Sequence, residues 1–378
     1  MNAFALWHAA AATNLPGFYN TVFSDYPPFN ILIFSIIGRA EGAAGLLGTI
    51  SAPFSPAETL FLKLPQNLAD LGIVILIYVW LRPKSHRVAL LGAAAYAFNP
   101  ATIFDLAVWG QWDSLYTIFM VGGIMAVLRR RFELSGALLA LAVLTKPQGV
   151  LVLPVIAYLV LQEGGLKRTI SSAIVAGGVV LAVIAPFQGA SNPIAFIAER
   201  YFGAYDLFRQ TSLNAYTFWA MAGMRVSDQT TVLGLSYQSW GWLSFLSIAG
   251  FLMWQLDKRY PAACAKMEDR DRLFLQVAFL TLFAFFMLST RIHERYLFPA
   301  LALLVLAWPR DRLLYVALSG SYLFNLAHVL QNLNREIYVV RDWTVPVFVA
   351  FNGVLFFWAL FDFWKGKEAH LHMPPASG

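Results

Sequence analysis

The stretch 289–299, STRIHERYLFP, gathers Arg291, His293, Glu294 and Arg295 within five residues. Three cations or potential cations beside one acid suit a phosphate or pyrophosphate, because a guanidinium meets phosphate oxygens with a planar fork of donors. Four other polar elements stand out. SDYPPF carries Asp25 ahead of Pro27 and Pro28, and FNPATIFDLAVWGQWDS carries Asn99, Asp105, Trp109, Gln111 and Asp113. LTKPQ carries Lys146 and Gln148, and TSLNAYTFW carries Asn214. Pro147 breaks its helix and frees backbone groups near Lys146. Asp25, Asp113 and Glu294 suit hydrogen bonds to hydroxyls, a metal ion, or proton removal from an acceptor. Trp109 and Trp112 offer flat faces and N–H donors to a sugar or a lipid chain.

Each residue also has a plainer role. Arg291, Glu294 and Arg295 could form an ion-pair staple. Asp113 could cap a helix, Lys146 could snorkel to the surface, and Asp25 could only form a turn. Lys63 and Asp70, seven apart, read as a structural buried pair. His370 and His372 lie in a C-terminal tail and carry little weight as metal ligands.

The elements that must hold these residues follow from composition. The chain has 378 residues, 59% hydrophobic and 13% charged, with a mean hydropathy of +0.61. Soluble domains are nearer one quarter charged. Repeated apolar runs of about 20 residues match a hydrocarbon core of about 30 Å, so the fold class is an all-α polytopic membrane protein. The runs are too long for barrel strands. The net charge of +6 comes from short loops and not from one basic face, so no nucleic-acid partner is indicated. The single cysteine, Cys264, excludes an intramolecular disulfide.

Eleven spans are expected, at about 57–82, 87–103, 113–128, 132–145, 147–162, 169–187, 237–256, 273–289, 296–308, 313–329 and 344–363. Most Lys and Arg fall in one set of loops: 82–87, 129–131, 167–168, 257–272, 310–312 and 365–367. The positive-inside rule makes that side cytoplasmic, with a cytoplasmic tail at 364–378. Residues 1–56 then form a first outer loop, with surface helices at 3–12 and 28–38. Residues 57–363 form one membrane domain with a long outer loop at 188–236, and no internal repeat is evident. Under this orientation all five polar elements sit at the outer ends of spans. Charges at a membrane edge are costly unless paired or lining a wet cavity, so their clustering marks a site. Phosphate binders beside hydroxyl binders describe a lipid-phosphate-sugar site.

DYPPF, VWGQWDS, LTKPQ and HERYLFPAL, in this order and spacing, resemble the prokaryotic relatives of the second GPI-anchor mannosyltransferase, which are C-type membrane glycosyltransferases. DYPP and HER are also similar to the dolichyl-phosphate-glucose-dependent transferases of the ER. The resemblance runs from about 3 to 363. It implies a polyprenyl-phosphate sugar donor, usually mannose, used on the outer face with inversion at the anomeric carbon. It implies that His293 and Arg295, with Arg291 beside them, hold the lipid phosphate and that Lys146 assists. It also implies that Asp25, Gln111 and Asp113 line the sugar and acceptor pocket, to which the polar constellation adds Trp109, Gln148, Glu294 and Asn214. The acceptor would be a lipid-linked or cell-envelope glycan, and a prokaryotic plasma membrane is favoured, with the ER as the eukaryotic counterpart. The family begins with a span followed by a base Asp just before a Trp-bearing helix like AFALWH. Here that helix follows Met1 directly, so a first span and its acid are expected upstream, and Asp25 is the base within this sequence. A divalent metal is left open, because no ligand spacing is diagnostic. The alternatives are a transporter or flippase of lipid-linked sugars, for which inverted repeats would be expected, and a non-catalytic binder.

Overall fold

The computed structural model describes residues 2–46, 55–307, 312–332 and 343–366. Among the described residues the fold is all-α apart from one short hairpin of two two-residue strands. Two compact units are present, residues 1–208 and 209–378. The expected cytoplasmic tail beyond 366, with His370 and His372, lies outside the described residues.

The first unit holds α1 (Asn2–Thr13), α2 (Phe18–Thr21), α3 (Pro28–Ala43), α4 (Pro56–Leu81), α5 (His86–Ala97) and α6 (Pro100–Ile103). It continues with α7 (Asp113–Leu128), α8 (Phe132–Thr145), α9 (Leu153–Ile184) and α10 (Pro193–Asp206). Local chemistry explains several boundaries. Ser55 and Glu58 form a reciprocal capping box at the start of α4, with Ser55 N donating to Glu58 Oε2 at 2.7 Å. Asn99 caps α6 by accepting from Ala101 N, just ahead of Pro100. A π-helical turn over Phe104–Trp109 then stops at Gly110, whose φ of 79° suits glycine.

Phe4, Trp7, His8 and Ala11 of α1 are buried at helical spacing, as are Ile31, Phe34 and Ile37 of α3. The two helices touch closely: a Cβ on Gly38 would run into the His8 carbonyl oxygen. Both stretches are thus helical, and the two helices bury matching faces in one aromatic cluster with Trp112. Small residues bring α8 onto α9. Ser172 Oγ donates to Phe132 O at 2.9 Å, and a Cβ on Gly136 would meet Ser172 O at 2.5 Å. The expected spans 147–162 and 169–187 meet at Gly165, where φ is 65° and the helical dihedrals of α9 break.

The second unit holds α11 (Tyr237–Ala263), α12 (Met267–Leu288), α13 (Phe298–Ala307), α14 (Arg312–Asn332) and α15 (Thr344–Lys365). Its loop 209–236 ends in the hairpin Thr231–Val232 with Leu235–Ser236, turned at Leu233 and Gly234, both with positive φ.

Among the described residues, six helical runs are long and apolar enough to cross a membrane: 56–81, 86–109, 147–184, 267–288, 312–332 and 344–365. α7 and α8 are shorter apolar helices. At 1.5 Å per residue they fall short of a full hydrocarbon core. Lys63 and Asp70 do not pair as the sequence suggests. Lys63 Nζ donates to Ala107 O, while Asp70 accepts from the Tyr96 hydroxyl at 2.9 Å. Seven residues span nearly two helical turns, so each side chain finds a neighbouring segment first.

Candidate functional site

Asp113 is the first residue of α7, and Trp112 occupies the cap position ahead of it. The Asp113 carboxylate therefore does not cap the helix. It is fully buried and takes a 2.6 Å hydrogen bond from Lys146 Nζ. Lys146 is also buried, so it does not snorkel. Its backbone is extended (φ −149°, ψ 139°), as the following proline demands, and this turns the chain out of α8 into a 3₁₀ turn over Pro147–Val152. Its ammonium lies 5.3 Å from the centroid of the buried Tyr116 ring, one turn along α7. Asn30, two residues after DYPP, donates to Thr145 O at 2.5 Å and so ties the DYPPFN segment to the residue before Lys146.

Several buried polar atoms near this pair have no hydrogen-bond partner among the described residues. They are Trp112 Nε1, both amide atoms of Gln66, Asn30 Oδ1 and Gln148 Oε1. Trp112 adjoins Asp113, Gln148 stands two residues past Lys146, and Asn30 bonds to the residue before it. Gln66 is tied to the residue after Asp113, because Ser114 Oγ donates to Gln66 O at 2.6 Å. Buried polar groups are nearly always satisfied, so such a concentration fits a place where a polar ligand supplies the partners. Trp109 closes the π-helical turn and is half-buried, as is Gln111. The Asp105 carbonyl accepts from the N–H groups of Gly110 and Gln111 at 3.0 and 3.1 Å and so fixes the chain just past Trp109. Asp25 lies in the irregular stretch between α2 and α3, half-buried.

The second unit carries the RIHERY element between α12 and α13. Arg291 is buried, and its Nε donates to Asp228 Oδ2 at 2.6 Å, with a second contact at 3.4 Å to Oδ1. Thr290 Oγ1 also reaches Asp228. Arg291 and Asn214 both hold positive φ, 63° and 69°, and the two strained points are locked by backbone bonds. Leu213 N donates to Ile292 O at 2.9 Å and Arg291 N to Gln210 O at 3.0 Å. Asn325 Nδ2 then holds Asn214 O at 2.8 Å. Glu294 is buried beneath Arg295, which donates to it at 3.1 Å, while His293 Nδ1 stands 3.8 Å away. Burial pushes the Glu294 carboxyl up, but the polar contact from His293 and the Arg295 charge outweigh it and hold it below the ordinary carboxylate range. His293 and Arg295 are half-buried. Of the suggested staple the structure holds Glu294–Arg295, and Arg291 takes Asp228.

Asp228 escapes sequence reading. Its only signal is a lone acid in the loop segment VSDQTT. Asn30 is equally silent, since an asparagine after two prolines reads as a turn.

Residues 55–188 match the family model of the dolichyl-phosphate-mannose-protein mannosyltransferases. The matched segment contains Trp109, Gln111, Asp113, Lys146 and Gln148. No curated protein matches the chain. The match supports glycosyl transfer by an integral membrane protein of the C-type glycosyltransferase class, with lipid-linked sugar as the kind of substrate.

Proposed function

We propose that the chain transfers a hexose, mannose first among them, from a polyprenyl-phosphate donor to a lipid-linked or cell-envelope glycan on the outer membrane face. The observation that carries this reading is the buried Asp113–Lys146 pair inside the matched segment, with buried polar atoms on neighbouring and tied residues that have no hydrogen-bond partner among the described residues. A hexose presents hydroxyls that donate and accept, which is what Gln66, Asn30, Gln148 and the Trp112 N–H call for. Trp109 offers a face for the ring. His293 and Arg295 suit the donor phosphate, oriented by Glu294, with Arg291 and Asn214 shaping the loop that presents them. The acceptor hydroxyl gives its proton to a carboxylate base, Asp25 within this sequence, and its oxygen attacks the anomeric carbon as the bond to the phosphate oxygen breaks, with the electron pair of that bond staying on the phosphate. Cations hold the charge as it develops on the leaving phosphate. Attack opposite to departure inverts the anomeric centre. Asp113 and Gln111 suit the acceptor and sugar hydroxyls.

The test is the full chain in proteoliposomes with radiolabelled polyprenyl-phosphate mannose and octyl α-mannoside as acceptor. Labelled disaccharide of inverted anomeric configuration is expected. Label that crosses the bilayer with its phosphate bond intact would establish a transporter instead.

A further inference from the structure

The hairpin that ends the loop 209–236 carries its backbone strain at its most exposed residue. Leu233 and Gly234 form the turn, with φ of 50° and 82°. A two-residue turn with both central residues in the left-handed region calls for Asn-Gly or Gly-Gly, because a bulky side chain there is crowded by its own backbone. Leucine fills the first position and stands 88% exposed. Val232 and Leu235, paired across the hairpin, are exposed as well. In water this tip would combine strain with uncovered apolar surface. In hydrocarbon the leucine is the favourable side chain and an asparagine the costly one.

The tip stands at the mouth of α11, which the sequence reads as a span. Ser236 caps α11 by accepting from Ser239 N, and Tyr237 N donates to Thr230 O at 3.1 Å. Trp240, in the first turn of the helix, donates from Nε1 to Val232 O at 2.8 Å. A hairpin continuing the helix axis would carry Val232 about 11 Å from the Trp240 Cα by strand and helix rise, farther than an indole N–H extends. The hairpin therefore leans over the side of the helix end, level with its first turn. Trp240 and Trp242 are the side chains that a membrane–water boundary favours. Trp242, Leu243 and Leu246 are exposed along the same helix. Residues 229–256 contain no charged side chain, so hairpin and span form one uncharged stretch. Behind the tip, Gln238 N donates to Asp228 O at 2.9 Å, and the Asp228 carboxylate holds Arg291.

We infer that the hairpin tip is a wedge set into the lipid leaflet beside α11, with Leu233 at its apex and acyl chains as its partner. It fixes the height of the Asp228–Arg291 loop against the bilayer. The wedge needs only a membrane, and so stands whether or not the chain transfers sugar.

The test uses the full chain with Cys264→Ser, since that exposed cysteine would also react. Leu233→Cys or Leu235→Cys is labelled with bimane and placed in phosphatidylcholine nanodiscs whose lipids carry a nitroxide near the top of the acyl chain. Emission at both positions should fall by roughly half relative to nitroxide-free discs, as for a group resting about 5–10 Å into the head-group boundary. Iodide in the water should quench both far less than it quenches bimane-labelled free cysteine. Leu233→Asn, made in the chain labelled at Leu235, suits the left-handed turn and should leave the melting temperature in detergent level or raised. It should also raise iodide quenching and lessen nitroxide quenching. Labels that iodide reaches as freely as the free conjugate, with no quenching by nitroxide, put the tip in water and overturn the wedge. Protection from both quenchers overturns it too, because a protein surface then covers the tip. A Leu235 label unmoved by Leu233→Asn removes Leu233 from the apex. If Leu233→Cys does not fold, the Leu235 label decides alone.

Discussion

Each unit buries an acid–base pair beside the residues singled out in the sequence, Asp113–Lys146 in the first and Asp228–Arg291 in the second, and the two pairs differ in what surrounds them. Arg291 grips Asp228 with its fork, Thr290 adds a third donor, and backbone bonds to 210 and 292 lock the strained loop. Among the described residues, the buried polar atom without a hydrogen-bond partner that stands nearest in sequence to Arg291 is Ser289 Oγ. Lys146 meets Asp113 as a point charge at 2.6 Å, and around that pair lie Trp112, Gln66, Asn30 and Gln148 with unused hydrogen-bonding capacity. Burial of opposite charges is therefore not itself the mark of a site. The first arrangement closes on itself and acts as a strut. The second is open to a polar ligand.

The largest effect should come from breaking the strut. Asp228→Ala leaves the Arg291 guanidinium buried without its acid, a loss of about 3–5 kcal/mol. Thermal unfolding in detergent should show it as a large fall in melting temperature or as failure to recover folded protein. Asp113→Asn should cost distinctly less stability, because the neighbouring amides and indole can re-pair. Equal losses in the two variants would collapse the comparison. Next in size is Lys146→Gln. Turnover should drop by about 10²–10³-fold, the scale of removing one donor to a developing charge, while the protein stays folded. Turnover within about twofold of wild type would make the Asp113–Lys146 pair a strut as well. Smaller again is Arg295→Lys. It keeps the charge but loses the fork, so donor KM should rise about tenfold, or about 1.4 kcal/mol. Unchanged donor KM would remove Arg295 from the phosphate.

The helices are legible in the sequence because hydropathy acts over about 20 residues and needs no partner. Even the break at Gly165 is readable, since EGGLKRT interrupts two apolar runs. Asp113 and Lys146 stand out as individuals, through Pro147 and the WGQWDS spacing. Their pairing does not, because 33 residues separate them and only packing of α7 on α8 joins them. Asp228 and Arg291 are 63 residues apart, and His8 and Glu41 are 33 apart. Such contacts have no local period. Lys63 and Asp70 show the converse: nearness in sequence suggests a pair that neighbouring segments take apart.

The smallest predicted effect tests whether Glu294 belongs with the strut or with the open site. Its folded carboxyl titrates below its ordinary value because of His293 and Arg295, despite burial. A depressed folded value means that stability is present above the unfolded pKa, about 4.3, and is lost as pH falls through the lower folded value. Melting temperature should therefore decline below about pH 4.3 in wild type. Glu294→Gln should flatten that part of the profile, since it removes the titrating group. Adding donor above that pH should tell the two roles apart. If Arg295 is drawn to a donor phosphate, it leaves Glu294 with less countercharge, and bound donor should shift the acid limb upward. If Glu294 only props the loop, as Asp228 does, the limb should stay where it was.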